Sequence, residues 1–167
     1  MHMSRILRNR SRAAGFTLVE LMVVIGIMGI LMAIAAPAFS SFIANQRVRD
    51  TASDLITVFL RARSEALTRN VSVSVVPVSG SSDWSAGWNI PNPAYVGKFI
   101  EQHGAVSGVA VTGTGLAAGT VVYNNIGRVG SAAQLDISAT GGSMQRCVSI
   151  EIVGRPKVKS CACASAC

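Results

Sequence analysis

The chain has 167 residues, enough for one domain, with 15 Lys and Arg against eight Asp and Glu. The net charge of +7 overstates its basicity, because four arginines lie in the first fifteen residues without any acid and the remainder carries only +3. Catalysis has little support, since His2 and His103 are the only histidines and the few acids form no pair suited to general acid and base work.

The N-terminal segment joins a basic leader to an apolar run. Lys and Arg beside an apolar segment stay cytoplasmic, so the rest of the chain is expected outside. The sequence at the junction is Gly15-Phe16-Thr17-Leu18-Val19-Glu20-Leu21. A secretory signal peptide is cut after its apolar stretch, whereas a cut between Gly15 and Phe16 leaves that stretch on the mature protein.

The apolar run is long enough to cross a bilayer. Residues 21–36 carry no charge, and with 16–19 they supply about the 20 residues that a spanning helix needs. A carboxylate such as Glu20 costs about 2.5 to 3.5 kcal/mol there unless it meets a cation. We expect the segment to anchor the chain before any assembly. Gly26 and Gly29 either allow the helix to unwind or allow close contact with another helix. The sequence alone does not decide between these two roles.

The junction closely resembles the cleavage site of type IV prepilins and type II secretion pseudopilins. The resemblance implies that a prepilin peptidase cleaves after Gly15 and methylates the new amino group of Phe16. It also implies that Glu20 neutralises the Phe16 amine of an adjacent subunit inside a filament. Pro37 falls where pilins carry a helix-kinking proline. The alternative is an ordinary single-span anchor that tolerates Glu20.

Beyond Pro37 the pattern predicts an amphipathic helix that extends the first, over about 17–68. One apolar stripe recurs at spacings of four and three, formed by Val48, Ala52, Leu55, Phe59, Ala62 and Ala66. The other face carries Asp50, Asp54, Arg61 and Glu65, with Arg61 and Glu65 spaced to pair. The arginines of this helix are either a nucleic-acid stripe or a solvated face, and we favour the solvated face.

From Val71 onward β-branched residues and glycines predict short strands separated by turns. The candidates are 71–75, 87–90, 109–111, 120–123, 135–138 and 144–153. Residues 113–118 nominally fit the GxGxxA pattern of dinucleotide sites, but the strand expected at 120–123 makes them a turn. The fold class is therefore α+β, a long N-terminal helix and an antiparallel β-sheet head.

The head is similar to the FimT/GspH group of minor pilins and pseudopilins. The similarity rests on 62–66 with Val73, on Trp84 with 87–88, and on 123–128. It implies the type IV pilin fold with three parts: a removed leader (1–15), an apolar helix (16–43), and an amphipathic helix with a β-rich head (44–167). We expect Trp84 and Trp88 to pack in the core rather than stack on a ligand.

The four cysteines lie near the C-terminus and should form disulfides in an oxidising compartment, since their spacing lacks the separated pairs of a zinc site. Three connectivities are open. A hairpin centred on Gly154 sets Glu151 opposite Lys157 and Ile150 opposite Val158. It also sets Cys147 opposite Cys161, which predicts the pairs Cys147 with Cys161 and Cys163 with Cys167.

The turn of this hairpin is strongly basic, with Arg155, Lys157 and Lys159 within five positions. It resembles the GRxR element through which FimT-type minor pilins bind DNA in natural transformation, with Lys157 in place of the second arginine. Lysine keeps the charge but loses the bidentate fork of arginine. Arg128 and Arg146 would extend the patch if the fold brings them near. The alternative is a solubilising turn.

The sequence therefore supports three functions. The first is a minor pilin of a type IV pilus, anchored in the bacterial inner membrane with its head periplasmic and then assembled into a periplasmic or cell-surface filament. Its partners would be other major and minor pilins or pseudopilins, the prepilin peptidase, the inner-membrane assembly platform and, as an added task, double-stranded DNA bound without sequence preference. The second is a GspH-type pseudopilin of type II secretion. The third, which we disfavour, is a membrane-tethered hydrolase using His103. We expect that the protein is not an enzyme and binds no cofactor or metal.

Overall fold

The computed structural model describes residues 15–165 of the chain, which divides into two units, Met1–Ala38 and Phe39–Cys167. Residues 1–14 of the predicted leader and Cys167 lie outside the described residues. The helix α1 spans Leu18–Arg69, close to the expected 17–68, and runs through Pro37. It is the one helix of the described residues long and apolar enough to cross a membrane.

The first unit holds the start of α1, and its described residues are exposed. In the second unit α1 buries one stripe against the strands. All six residues of the predicted stripe are buried, from Val48 to Ala66. Apolar side chains at spacings of three and four share one helix face, so this face closes over the strands and forms the core.

Eight strands follow the helix: β1 (Val73–Pro77), β2 (Trp88–Pro91), β3 (Phe99–His103), β4 (Val109–Thr114), β5 (Val121–Tyr123), β6 (Ala133–Ala139), β7 (Gln145–Ile150) and β8 (Pro156–Lys159). They form two four-stranded antiparallel sheets, with strand orders β3-β2-β1-β5 and β4-β6-β7-β8. The α+β class is confirmed. The strand β3 had no sequence prediction, because its edge position gives it no clean alternation of buried and exposed residues.

Trp84 and Trp88 lie in the core, with 0% and 1% of their surface exposed. Their ring centroids are 6.5 Å apart, and Phe59 of the helix lies 5.8 Å from Trp84. The prediction of core packing is therefore confirmed. The GxGxxA pattern begins at the end of β4, in Gly113 and Thr114, and the rest of it lies between β4 and β5 with no helix after it, so the prediction that it is not a dinucleotide site is supported.

The predicted register of the C-terminal hairpin is wrong by two residues. Val148 lies opposite Val158, and Cys147 lies opposite Lys159 instead of Cys161. The amide of Gly154 donates to the carbonyl oxygen of Glu151 (2.7 Å), and Gly154 has φ +76°. The hydrogen bond closes a four-residue turn from Glu151 to Gly154, and the observed register is centred on Val153, so Gly154 follows the centre of the loop.

The predicted helix pair Arg61 with Glu65 is also wrong. Arg61 lies 3.3 Å from Glu101 of β3, and Glu65 pairs with Arg69. A glutamate four residues before an arginine is the better orientation on a helix. Glu101 lies far from Arg61 in the sequence, and only the tertiary fold brings the two together. Arg61 and Glu65 therefore each have another partner.

Candidate functional site

The predicted processing site lies immediately before α1. Gly15 and Phe16 precede the helix and are exposed, with 79% of the Phe16 surface accessible. The hydroxyl of Thr17 accepts a hydrogen bond from the amide of Glu20 (3.2 Å), which caps the helix. The bond between Gly15 and Phe16 therefore lies outside the helix, where an enzyme can reach it.

Glu20 lies in the first turn of α1 and is exposed. The residues that follow it present large apolar side chains to the surroundings, among them Leu21, Val23, Ile25 and Ile27. A carboxylate among apolar groups needs a cationic partner when water is removed. The helix offers such a partner a carboxylate and an apolar surface side by side.

The structure brings only some of the predicted DNA-binding residues of the C-terminal hairpin close to one another. Arg155 is exposed in the turn, but Lys157 forms an ion pair with Glu151. Hydrogen bonding from Lys157 lowers the pKa of the Glu151 carboxyl. The positive charge of Lys157 is thus partly neutralised at the surface, as the sequence pairing of these two residues anticipated despite the different register.

Arg128 lies next to this turn. The amide of Val129 donates to the carbonyl oxygen of Ile152 (3.1 Å), which ties the loop 124–128 to the hairpin turn. Arg63 of α1 donates from Nε to the carbonyl oxygen of Gly127 (3.0 Å), which ties the same loop to the helix. Sequence spacing gave Arg63 no role, because its partner is 64 positions away.

Arg146 lies apart from this group. Lys159 is opposite Cys147, and residues that are directly opposite share one face of a sheet. Successive side chains of a strand alternate, so Arg146 lies on the other face from Cys147, Lys157 and Lys159. Its Nε is buried without a hydrogen-bond partner. The structure therefore brings the loop of Arg128 beside the turn that carries Arg155, and it places Arg146 on the sheet face away from Lys157 and Lys159.

The disulfide pairing that we predicted is wrong. Cys147 is bonded to Cys163, across a sequence separation of 16. The corrected register explains this, because Lys159 and not Cys161 lies opposite Cys147 and the chain must turn back beyond β8 to reach it. The carboxylate of Asp136 accepts a hydrogen bond from the amide of Cys163 (2.6 Å). Cys161 is also disulfide-bonded.

Asp136, Cys147 and Cys163 bring potential metal ligands within 4.8 Å of one another. The two sulfurs are joined in the disulfide, so neither is the thiolate that a metal ion requires. The Asp136 carboxylate instead holds the backbone of Cys163. This cluster therefore has a structural role, in which the disulfide and the Asp136 carboxylate hold the C-terminal segment against the sheet.

The contacts of His103 are those of a packing residue. Its ring stacks on Trp88 with centroids 4.1 Å apart. Nδ1 lies 2.8 Å from the carbonyl oxygen of Gly104, which only accepts, so Nδ1 carries a proton. Nε2 lies 3.5 Å from the Asp54 carboxylate. Both ring nitrogens are thus directed at structural partners.

Two family models match this chain. The model described as "Type II transport protein GspH" matches residues 51–154, more than half of the chain, and the model described as "Prokaryotic N-terminal methylation motif" matches residues 10–36. The fold and the N-terminal motif together define a pilin-like protein with an apolar N-terminal helix. The chain belongs to the GspH family of type IV pilin and pseudopilin proteins.

The relatives and solved structures agree with this assignment. The type IV major pilin protein PilE1 of Neisseria gonorrhoeae is 34% identical over 105 residues, which cover 63% of this chain and 59% of PilE1. The minor pilin FimU of Pseudomonas aeruginosa has a similar fold (TM-score 0.61, 19% identity, 74% of this chain and 98% of FimU). So does the minor pseudopilin EpsH of Vibrio cholerae (TM-score 0.52, 14% identity, 71% of this chain and 99% of EpsH).

Proposed function

We propose that this protein is a minor pilin subunit of a type IV pilus, with a structural role in priming or capping the fibre and no catalytic activity. The observation that carries the proposal is the exposed start of α1, which places the Glu20 carboxylate at the head of a continuous apolar surface. The identity to the major pilin PilE1 supports a pilus over a secretion apparatus.

In this proposal a prepilin peptidase removes residues 1–15 and methylates Phe16, and residues 16–43 anchor the chain in the bacterial inner membrane with its head (44–167) in the periplasm. An assembly platform in that membrane then moves the subunit into a periplasmic or cell-surface filament. There the Glu20 carboxylate pairs with the Phe16 amino group of a neighbouring pilin. The pairing offsets the cost of about 2.5 to 3.5 kcal/mol for a lone carboxylate in an apolar environment.

Two substitutions at position 20 test this mechanism. Glu20→Gln keeps the size of the side chain and removes its charge, whereas Glu20→Asp keeps the charge. We expect Glu20→Gln to leave cleavage and membrane insertion intact but to remove the subunit from sheared filaments, with Glu20→Asp retaining part of the incorporation. Equal recovery of Glu20→Gln and the native chain in filaments would contradict the proposal.

The alternative is a GspH-type pseudopilin of a type II secretion system, which the match to the GspH family model favours. The two functions differ in the phenotype of a deletion strain. Loss of twitching or transformation with normal protein secretion fits the pilus, and loss of exoprotein release fits the secretion system. Complementation with the native chain and with Glu20→Gln shows whether either phenotype depends on assembly.

DNA binding is a second candidate function for the head. The observation in its favour is that Arg128 lies beside the turn that carries Arg155, with Lys157 and Lys159 following on β8. Such a site would bind phosphates without sequence preference, and salt would weaken it steeply. The test is binding of the detergent-solubilised full chain to double-stranded DNA across a salt series, beside Arg155→Gln/Lys157→Gln. Unchanged binding by the variant would exclude this site.

A further inference from the structure

The second unit begins with a surface that we call the base, formed by residues 39–49 of α1 and the loop 139–144. The amide of Met144 donates to the side-chain oxygen of Asn45 (3.0 Å). Gly142 lies so close to the helix that a β-carbon on it would be 3.2 Å from the β-carbon of Ala44. The loop is therefore fastened to the helix where the head starts.

The base follows directly after residues 16–43, which lie in the membrane under the proposed function, and this inference rests on that placement. Phe39 and Phe42 are still exposed, which suits an apolar environment. Arg49 lies six helical residues beyond position 43, roughly 9 Å along the helix axis. The polar layer on each side of a bilayer is about 5 to 8 Å thick, and helix side chains lean toward the N-terminus. The guanidinium of Arg49 is therefore expected at the level of the phospholipid headgroups.

Two arginines of the base lie close to Met144. Arg49 is exposed, and its Nε lies 3.4 Å from the Met144 sulfur, which is a weak acceptor. Arg146 follows Met144 by two positions, and its Nε is buried without a hydrogen-bond partner. Within residues 15–165, neither arginine forms an ion pair with a carboxylate. Both guanidinium groups therefore keep hydrogen-bonding capacity and a full positive charge.

The acids nearest to these arginines in the sequence and in the sheet are directed elsewhere. Asp50 follows Arg49 but projects about 100° further around the helix. Its carboxylate accepts a hydrogen bond from the side chain of Gln46 (2.9 Å). Asp136 precedes the residue of β6 that lies opposite Arg146, so it occupies the other face of the sheet. An anion from outside the chain can thus satisfy the two arginines.

A phosphate suits this pair of guanidinium groups, because their planar donor forks match its oxygens. At the level of the headgroups, phosphates are already concentrated in the phospholipids. An arginine near an anionic membrane surface strengthens the association by about fivefold. DNA fits this place less well, since a duplex would have to enter the space between the head and the membrane.

We propose that Arg49 and Arg146 bind the phosphate of an anionic phospholipid in the periplasmic leaflet of the inner membrane. The bound lipid holds the subunit at the membrane surface before assembly and is released when the subunit enters a filament. Arg47 is not part of this site, because it lines a groove together with Asp50 and Asp54.

Hydrogen exchange of the full chain in lipid nanodiscs tests the site. One set of nanodiscs contains equal parts of phosphatidylglycerol and phosphatidylcholine, and the other contains phosphatidylcholine alone. We expect the backbone amides of 139–146 to exchange at least about fivefold more slowly with phosphatidylglycerol. Equal exchange in the two lipids would overturn the proposal. Slowing by inorganic phosphate or by double-stranded DNA in phosphatidylcholine nanodiscs would assign the arginines to those anions and would also overturn it.

Substitution of the two arginines supplies the second measurement. Arg49→Gln/Arg146→Gln should remove the slowing by phosphatidylglycerol, whereas the control Arg128→Gln/Arg155→Gln removes the same charge away from the base and should retain it. Arg49→Lys/Arg146→Lys keeps the charge and should retain part of the slowing, which covers the case in which the glutamine variant does not fold. Slowing that survives in the glutamine variant, or that is lost equally in the control, would contradict the site.

Recovery of the subunit in sheared filaments separates a failure of this inference from a failure of the proposed function. Filaments that contain the chain, together with equal exchange in the two lipids, contradict the lipid site and leave the pilin function standing. Slowing by phosphatidylglycerol in a chain that never enters filaments supports the lipid site and contradicts the pilin function alone.

Discussion

Gly154 lies directly against Gly127, so close that a β-carbon on Gly154 would sit 2.0 Å from the Gly127 carbonyl oxygen. This contact fixes the turn of the C-terminal hairpin onto the loop that carries Arg128. The backbone of Gly154 is also left-handed, with φ +76°. Both features demand glycine, and the position of the basic turn depends on them.

Gly154→Ala should therefore destabilise the chain by clearly more than the roughly 1 to 2 kcal/mol of left-handed strain alone. Gly141→Ala is the matched control, because Gly141 has φ +81° and open space around its α-carbon. The measurement is guanidinium unfolding of the detergent-solubilised chain, followed by the fluorescence of the buried tryptophans. Equal losses for the two variants would show that the contact with Gly127 does not constrain the turn.

The disulfide gives a second prediction. A bridge across 16 positions stabilises by about 3 kcal/mol in the loop-entropy description, so Cys147→Ala/Cys163→Ala should lose about that much. Alanine suits the buried Cys147 site because it adds no hydroxyl. A non-reduced digest of the native chain should contain the peptide of Cys147 joined to that of Cys163, and a peptide joining Cys147 to Cys161 would contradict the structure.

The pair of Glu151 and Lys157 predicts a specific acid response. The pKa of Glu151 lies below its ordinary value of 4.5 because the Lys157 ammonium donates a hydrogen bond to the carboxylate. The stabilisation from the pair is fully present above pH 4.5 and is lost as the pH falls through the lower pKa of the folded state. Carboxyl NMR titration of the chain should report that lowered pKa and its return toward 4.5 in Lys157→Gln.

The Lys159→Gln variant controls for the general charge of β8 in the same titration. Lys159 lies two positions further along the strand, and its substitution should shift the Glu151 pKa far less than Lys157→Gln does. Equal shifts from both variants would mean that Glu151 senses the overall field and not one hydrogen bond.

The helix is joined to the first sheet by Arg61 and Glu101. A double-mutant cycle with Arg61→Ala and Glu101→Ala should give a coupling of about 0.2 to 1 kcal/mol, the range for exposed pairs. The cycle of Arg61→Ala with Glu65→Ala is the comparison and should give a smaller value. A larger coupling to Glu65 would favour the helix pair expected from spacing.

Local patterns predicted most of this fold. The stripe from Val48 to Ala66 repeats at the helical period over five turns, and a pattern of that length leaves little room for another structure. The junction at Gly15 and Phe16 was equally informative, because leader charge, cleavage site, carboxylate and apolar run coincide in one segment. Both are features of neighbouring residues.

The errors arose where distant segments decide the outcome. The sequence placed Gly154 at the centre of the hairpin, but its left-handed backbone against Gly127 sets the register, and that register redirects Cys147 to Cys163. Loops 92–98, 124–128 and 151–155 also lie at three separate places in the chain, so sequence spacing did not predict that they meet near the end of α1. Spacing alone cannot reveal contacts of this kind.

The central claim is that the apolar N-terminal helix stays on the working protein. Intact-mass measurement of the chain isolated from native filaments tests it most directly. The account predicts the mass of residues 16–167 with its disulfides and one added methyl group at Phe16. A product that begins beyond residue 36, released in soluble form, would contradict it.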